Sequence, residues 1–149
     1  MPICMEPIGH VVNNVNTPVD HDWAEVESKI VLREDLAPAL TGLADFSHAL
    51  VVFWMHEAGP IKTLKRRPRN RPDMPEVGIF SQRAKHRPNP IGITAVPIIR
   101  IQKNELVVRG LDAINDTPVL DIKPYFPIFD SRVGVKVPEW VDRLMAGYF

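Results

Sequence analysis

The stretch GITAVPIIRIQKNELVVRGL, residues 92–111, decides the fold of this chain. Two runs rich in β-branched residues, 92–101 and 105–111, flank the polar letters QKN. This pattern predicts two antiparallel strands joined by a tight turn. Pro97 lies inside the first run and has no N–H to donate to a sheet, so we expect it at a sheet edge or a bulge.

Further short strands are predicted on both sides of this hairpin. Residues 25–32 alternate between the two faces of a strand, whereas 48–55 form a nearly continuous apolar run that is typical of a fully buried strand. The other predicted strands are 8–12, 77–80 and 113–122, with a turn at Asn115-Asp116. Short helical turns are predicted over 36–46, and a terminal helix is predicted from Pro138, with Trp140, Leu144 and Met145 on one face.

The order of these elements predicts a mainly β fold, a small antiparallel β-barrel with a few short helices. There is no βαβ alternation and no GxGxxG motif, which argues against a Rossmann domain. A length of 149 residues fits one domain, 1–149. We expect a cytoplasmic protein without a membrane segment, because no apolar run reaches about 18 residues and no signal peptide is visible. A lone Cys4 and the absence of metal-ligand spacing predict neither a disulfide nor a metal site.

The net charge of zero hides a strongly polarised distribution. Residues 62–87 hold nine of the 18 Lys and Arg but only two of the 18 acids, so this window carries +7 and the rest of the chain −7. Most of the window belongs to a proline-rich segment, 58–76, which we expect to be a long irregular loop. Such a surface can bind phosphates. A solvated loop that serves only solubility is an equally good interpretation of the 62–71 cations.

The segment IFSQRAKHRPNPIGIT, residues 79–94, is predicted to be a rigid ligand loop. Pro88 and Pro90 fix their own φ angles and remove two N–H donors, so nearby carbonyls are expected to be free for a ligand. Asn89 offers an amide to a polar edge, and Gly92 would allow a ligand to approach the backbone closely. The preceding cations suit a carboxylate or a phosphate, and the residues alone do not decide between a nucleotide and another anion.

The segment LDIKPY places Asp121 and Lys123 two residues apart, on the same face of a strand. Such a pair can orient a substrate or move a proton. A purely structural ion pair is the alternative. Asp116, in NDTP, is best explained by turn chemistry.

Together, GIFSQRAKHRPNPIGIT and GLDAINDTPVLDIKPY resemble the TsaA-like family, whose best-known members are the TrmO-type tRNA methyltransferases. PIGHV, residues 7–11, and GLADFSHALVVFWMHE, residues 42–57, are similar to further family segments. The resemblance covers about 5–130 and leaves a helical tail at about 138–149. The longer members carry a further C-terminal domain, which we expect this chain to lack. Their proline- and glutamine-containing loop is not matched by 17–23.

The resemblance implies a non-Rossmann β-barrel that binds S-adenosyl-L-methionine and forms a homodimer. The implied reaction is methyl transfer to N6 of threonylcarbamoyladenosine beside the tRNA anticodon. Implied cofactor-binding residues are His56, Glu57, Arg83, Ile93, Gly110, Leu111 and Asp112. From its own chemistry, the proline loop adds Pro88, Asn89 and Pro90 as expected ligand contacts. Lys123 and Tyr125 would border the substrate, and Asp121 would act as a base.

With tRNA as the partner, the basic window becomes a phosphate clamp formed by Lys62, Lys65, Arg66, Arg67, Arg69, Arg71, Lys85 and Arg87. His86 is expected to face solvent. Two alternatives stay open, a non-catalytic module that binds S-adenosyl-L-methionine and a methyltransferase for a small molecule. A small-molecule enzyme has no need for +7 beside its pocket, so the basic window favours RNA.

Overall fold

Six antiparallel strands close into a barrel in the computed structural model, which describes residues 1–149. The chain contains strands β1 (Gly9–Val12), β2 (Glu27–Leu32), β3 (His48–Trp54), β4 (Lys65–Arg66), β5 (Val77–Gly78), β6 (Ile91–Gln102), β7 (Glu105–Arg109) and β8 (Pro118–Pro124). The order around the barrel is β1, β2, β7, β6, β3 and β8, with β8 pairing again with β1. The predicted antiparallel barrel is therefore confirmed.

Short helices connect and follow these strands. The α-helices are α1 (Pro127–Asp130) and α2 (Trp140–Met145), and the 3-10 helices are Glu34–Leu40, Leu43–Asp45, Pro68–Asn70 and Ile79–Ser81. No helix has the length and apolar character needed to cross a membrane. Leu144 is buried as predicted, but the prediction for Met145 is wrong because its side chain is exposed.

Alternation along the strands builds the core inside the barrel. Val11, Ile30, Val51, Leu106 and Val119 are fully buried, and each lies on a different strand. Successive side chains of a strand point to opposite faces, so one face of each strand fills the interior. The hairpin predicted over 92–111 forms as β6 and β7, and the turn contains Lys103 with a φ of 55°.

Gly92 is small because the barrel core needs the space, and the expectation that it admits a ligand is wrong. A Cβ atom at this position would lie 2.4 Å from Cζ of Phe53, which is a buried residue of the paired strand β3. Atoms this close overlap, so Phe53 fills the volume that a side chain at residue 92 would need.

One strand prediction needs correction, and another is confirmed. Residues 48–55 are buried on one face only, since Leu50 and Val52 are half-buried and Trp54 is exposed. The prediction for Pro97 is confirmed, because β6 pairs with β3 through residues 91–97 and with β7 only from Ile98 onward, so Pro97 has a sheet partner on one side only. The irregularity in pairing comes just after it, between Ile98 and Arg100.

The basic segment 58–76 is also more ordered than a long irregular loop. Its strand β4 pairs with β5, with Lys65 opposite Gly78 and Arg66 opposite Val77. The amide side chain of Gln82 donates hydrogen bonds to the carbonyls of Arg66 and Val77 and ties the following loop to this small sheet.

Candidate active site

The outer face of three neighbouring strands, β6, β3 and β8, brings two predicted groups of site residues together. Val52 of β3 pairs with Ile93 of β6 on one side and Asp121 of β8 on the other. Paired residues project from the same face of a sheet. Adjacent strands are about 4.8 Å apart, so the Ile93 and Asp121 backbones are separated by roughly 10 Å. Ile93 is 46% exposed. We call this surface the outer face.

Arg83 reaches strand β6 from the preceding loop. Its guanidinium donates a 2.6 Å hydrogen bond to the backbone carbonyl of Ile93. The side chain stays exposed and makes no ion pair in the structure. A cation held at one end and free of acidic partners suits an anionic group of a ligand.

Asp121 and Lys123 form the ion pair that their spacing predicts, with 2.8 Å between Lys123 Nζ and Asp121 Oδ2. Both side chains are about half exposed, so burial does not force them together. The hydrogen bond from the ammonium to Asp121 raises the pKa of Lys123. Tyr125 follows on the same strand path and lies against His48, with 6.1 Å between ring centroids. Lys123 therefore stays protonated and exposed beside a carboxylate.

The carbonyls of the proline loop are less free than predicted. The carbonyl of Pro90 accepts a 2.7 Å hydrogen bond from the N–H of Met55, and that of Asn89 accepts one from Ile91. This correction reflects the docking of the loop on the end of β3. The exposed Asn89 side chain and Pro90 line a cleft of about 230 Å³ together with Met5, Pro7, Trp54, Ile91 and Leu120. Pro88 is exposed and does not line this cleft.

His56 and Glu57 belong to the turn that follows β3, closed by a bond from the N–H of Ala58 to the carbonyl of Met55. Glu57 is exposed, whereas Nδ1 of His56 is buried and has no hydrogen-bond partner. Buried polar atoms in proteins nearly always have a partner, so this nitrogen has unused bonding capacity. It lies in the turn that docks on Pro90.

The segment Gly110, Leu111 and Asp112 lies on the inner side of β6. Gly110 has a φ of 81°, and its N–H bonds to the carbonyl of Val26. Leu111 is fully buried in the core, so its side chain is not available to a ligand. Asp112 accepts a 2.5 Å hydrogen bond from the hydroxyl of Thr94, whose paired residue Val51 is buried. The predicted cofactor residues are thus divided between the two sides of β6.

The cations predicted to contact RNA fall into two groups. The arginines bond within the chain: examples are the 2.7 Å ion pair of Arg71 with Asp73 and the bonds from Arg87 to the carbonyls of Gln82 and Ala84. The engaged residues are Arg66, Arg67, Arg69, Arg71 and Arg87. The side chains of Lys62, Lys65 and Lys85 make no hydrogen bond or ion pair, and Lys62 and Lys65 are exposed.

His86 is half-buried rather than facing solvent, which corrects the prediction. Burial lowers the pKa of its imidazole, and the neighbouring charges of Arg66, Lys85 and Lys62 lower it further. The ring therefore stays neutral at neutral pH. The part of this shift that comes from the three cations shows that His86 lies close to the positive charges of the basic window.

Most of the chain matches one known protein family. The family model of the tRNA-methyltransferase O N-terminal domain matches residues 11–131, most of the chain. The chain belongs to this family. The resemblance inferred from the two long motifs is thereby confirmed.

Relatives of the TrmO family include both binding proteins and enzymes by name. A "probable S-adenosyl-L-methionine-binding protein" of Pyrococcus abyssi is 32% identical over 146 residues, which cover 95% of this chain and 77% of that protein. A "tRNA (adenine(37)-N6)-methyltransferase" of Mus musculus is 31% identical over 150 residues, which cover 95% of this chain and 35% of the mouse protein.

The barrel also matches a solved TrmO fold. The crystal structure of TrmO from Pseudomonas aeruginosa superposes with a TM-score of 0.75 at 29% identity, over 91% of this chain and 61% of that one. This chain therefore spans about three fifths of the solved TrmO chain and about a third of the mouse enzyme.

Three residues of this TrmO-family chain were missed by sequence reasoning. Thr94 and Tyr148 both bond to Asp112, and Phe80, in the 3-10 helix Ile79–Ser81 that follows β5, is 81% exposed. An exposed aromatic ring beside cations is typical of base-stacking surfaces. The position of Phe80 between VGI and the cations of 83–87 was a usable signal in the sequence. Nothing in the sequence connects Tyr148 with Asp112.

Proposed function

We propose that this chain, acting as one domain, binds S-adenosyl-L-methionine and transfers its methyl group to N6 of adenosine 37 in tRNA. Membership of the family and the printed names of the relatives support this reaction. The observation that carries the proposal is the outer face, where Arg83 and Ile93 lie on one side of Val52 and Asp121 on the other. One surface thus offers a cofactor side and an acceptor side.

The residues around Ile93 fit this cofactor. The guanidinium of Arg83, which makes no ion pair, suits the carboxylate of the methionine part, and the exposed Trp54, Ile91 and Ile93 suit the flat, partly apolar adenine. The unpaired Nδ1 of His56, in the turn docked on Pro90, is a further polar group for this ligand. When bound, S-adenosyl-L-methionine supplies an electrophilic methyl group.

The residues of the chain then have to hold the acceptor amine in line and dispose of its proton. Positioning alone can supply a large part of the rate enhancement. Asp121 is exposed on the acceptor side and can take the proton that the N6 nitrogen loses. Lys123 stays protonated beside it and keeps the carboxylate oriented.

The finer substrate that we propose is threonylcarbamoyladenosine at position 37. Its threonyl part carries a carboxylate, which requires a cation on the acceptor side. The ammonium of Lys123 is exposed and can accept a second acidic partner besides Asp121. A small neutral acceptor would offer no second acidic partner to this ammonium.

The basic surface supports tRNA as the partner over a small molecule. Lys62, Lys65 and Lys85 are free to contact phosphates, and the exposed Phe80 follows the strand that pairs with Lys65. This surface leads through Arg83 to the outer face. The RNA backbone and the methyl acceptor can thus be held by adjacent parts of the chain.

We also propose that the protein works as a homodimer in the cytoplasm. Exposed apolar residues Trp54, Ile91 and Ile93 lie together with the half-buried Leu50 and Val52 on the outer face. A second copy that covers part of this surface would remove it from water and shield the reacting groups.

Calorimetric titration with S-adenosyl-L-methionine tests the cofactor site. We expect saturable binding, and a loss of about 10- to 100-fold in affinity for Arg83→Ala, which removes a charged hydrogen-bonding partner. The matched control is Arg100→Ala, because Arg100 lies on the same strand as Ile93 but pairs with Glu27. Absence of wild-type binding at millimolar ligand, or equal losses in both variants, would contradict the proposal.

A further inference from the structure

Asp112 is held by hydrogen bonds to both of its oxygens. The hydroxyl of Thr94 donates to Oδ1, and the hydroxyl of Tyr148 donates to Oδ2. The carboxylate is half-buried at the barrel end, after β7. Two donors on different oxygens define the plane of a carboxylate, whereas one donor leaves it free to rotate.

Tyr148 is itself fixed by the backbone of the segment that carries it. The carbonyl of Tyr148 accepts a 2.9 Å hydrogen bond from the N–H of Trp23, and the carbonyl of Gly147 accepts one from Asp22. The indole of Trp23 is buried, so the hydrogen bond to the Tyr148 carbonyl comes from a well-packed residue. The terminal segment 146–149 therefore lies against the loop 20–23 as an added piece of backbone.

Residues of the basic window also contact the ring of Tyr148 and the preceding helix α2. The guanidinium of Arg69 lies over the ring of Tyr148, 5.8 Å from its centroid, and forms a 3.7 Å ion pair with Asp20. Arg143 of α2 donates a 2.8 Å hydrogen bond to the carbonyl of Asp73. The basic window, the terminal segment and Asp112 are thus joined by direct contacts.

Burial raises the pKa of Tyr148 well above its usual range, and the negative charge of Asp112 raises it further. The phenol therefore remains protonated at neutral pH. Its proton is available to Asp112, which as a carboxylate can only accept.

We propose that Tyr148 is a positioning residue, whose hydroxyl orients the Asp112 carboxylate for the cofactor. This inference rests on the proposed function and on the role that the family resemblance implies for Asp112, a contact with S-adenosyl-L-methionine. The hydroxyl acts through Asp112 and touches neither the methyl group nor the acceptor. Removing the Tyr148 hydroxyl leaves Thr94 as the sole side-chain donor to the Asp112 carboxylate. The carboxylate must then lose rotational freedom when the cofactor binds, and this cost lowers the affinity.

Tyr148→Phe tests the proposal because it removes the hydroxyl and keeps the ring under Arg69. We expect the calorimetric affinity for S-adenosyl-L-methionine to fall about tenfold, the effect of one hydrogen bond to a charged group. In kinetics, KM for the cofactor rises more than kcat falls. Thr41→Val, which removes an exposed hydroxyl without a partner, leaves the affinity unchanged.

A double-mutant cycle separates orientation from general loosening of the structure. If Tyr148 acts through Asp112, Tyr148→Phe causes little further loss in an Asp112→Asn background. Independent, additive losses would overturn the proposal. So would wild-type affinity in Tyr148→Phe while Arg83→Ala is impaired, and the proposed function would then still stand. Absence of cofactor binding in the wild type would overturn both.

A labelled wild-type chain covers the case in which Tyr148→Phe does not fold. The chain has only two tyrosines, so 3-fluorotyrosine gives two fluorine resonances, which Tyr125→Phe assigns. We expect S-adenosyl-L-methionine to shift the Tyr148 resonance, since the hydroxyl of this ring bonds to Asp112, the side chain that contacts the cofactor in this proposal. An unchanged resonance at saturating cofactor would contradict the proposal.

Discussion

Ile93 and Asp121 lie on the same outer face of the barrel, one on each side of Val52. Their backbones are roughly 10 Å apart, so a cofactor and a methyl acceptor bound side by side can contact both strands. Arg83 marks the Ile93 side through its hydrogen bond, and Lys123 marks the Asp121 side through its ion pair. This division leads to separate predictions for binding and for transfer.

Asp121→Asn is expected to lower single-turnover methyl transfer about 100-fold, because it removes the group that we propose as the acceptor of the amine proton. Affinity for S-adenosyl-L-methionine should stay the same, since Asp121 lies on the acceptor side. Asp116→Asn is the matched control, because Asp116 is an exposed turn residue with a φ of 67° that Asn tolerates. Full transfer by Asp121→Asn would show that the pair with Lys123 is only structural.

The double variant Lys62→Ala/Lys65→Ala is expected to weaken tRNA binding and to reduce the slope of log affinity against log salt by roughly 1 to 2. These two lysines are exposed and unpaired, so their charges are available to phosphates. Filter binding at several salt concentrations measures the slope. Lys29→Ala/Lys103→Ala removes two exposed lysines from the β2 and β6–β7 region and should leave it unchanged. Equal slopes for both double variants would argue against the basic window as the RNA surface.

Gly92→Ala is expected to destabilise the fold by about 1–3 kcal/mol, as overpacking of a core typically does. The added Cβ would meet the ring of Phe53, which is buried and has little room to move. Urea unfolding gives the change in free energy. In the control Gly78→Ala, the nearest atom would be 4.0 Å away, and we expect a change below about 0.5 kcal/mol. A neutral Gly92→Ala would mean that the Phe53 ring is free to move aside.

Stability should fall at alkaline pH because of Tyr148. Burial, followed by the charge of Asp112, raises its folded-state pKa above the ordinary 10.0. Its favourable contribution is therefore complete below pH 10 and decreases as the unfolded chain ionises above it. The free energy of unfolding of the wild type, relative to Tyr148→Phe, should decline above pH 10 by at most about 1.4 kcal/mol per pH unit. A pH-independent difference would show that the phenol titrates normally.

The local elements of this fold could be predicted from sequence, because they depend on patterns within a few residues. The β6–β7 hairpin follows from two β-branched runs around QKN, and the turn before β8 follows from Asn115-Asp116. The pair of Asp121 with Lys123 follows from the period of a strand. In each case, the partner is near in the chain or fixed by strand alternation.

The remaining features depend on contacts between distant parts of the chain. Closure of the barrel makes β6 pair with β3 along 91–97 and with β7 along 98–102, so Pro97 lies where the strand changes partners. The size of Gly92 is explained only by Phe53 on the paired strand. The bond from Tyr148 to Asp112 joins residues 36 positions apart and has no local signal.

The central proposal is tested most directly by mass spectrometry of tRNA nucleosides after incubation with deuteromethyl-labelled S-adenosyl-L-methionine. Unmodified and threonylcarbamoylated tRNA are compared as substrates, with Asp121→Asn as the matched enzyme control. We predict that the label appears on N6 of adenosine 37, and only where the threonylcarbamoyl group is present. A wild-type protein that binds the cofactor saturably but leaves both tRNAs unlabelled would contradict the assignment of this chain as a tRNA methyltransferase.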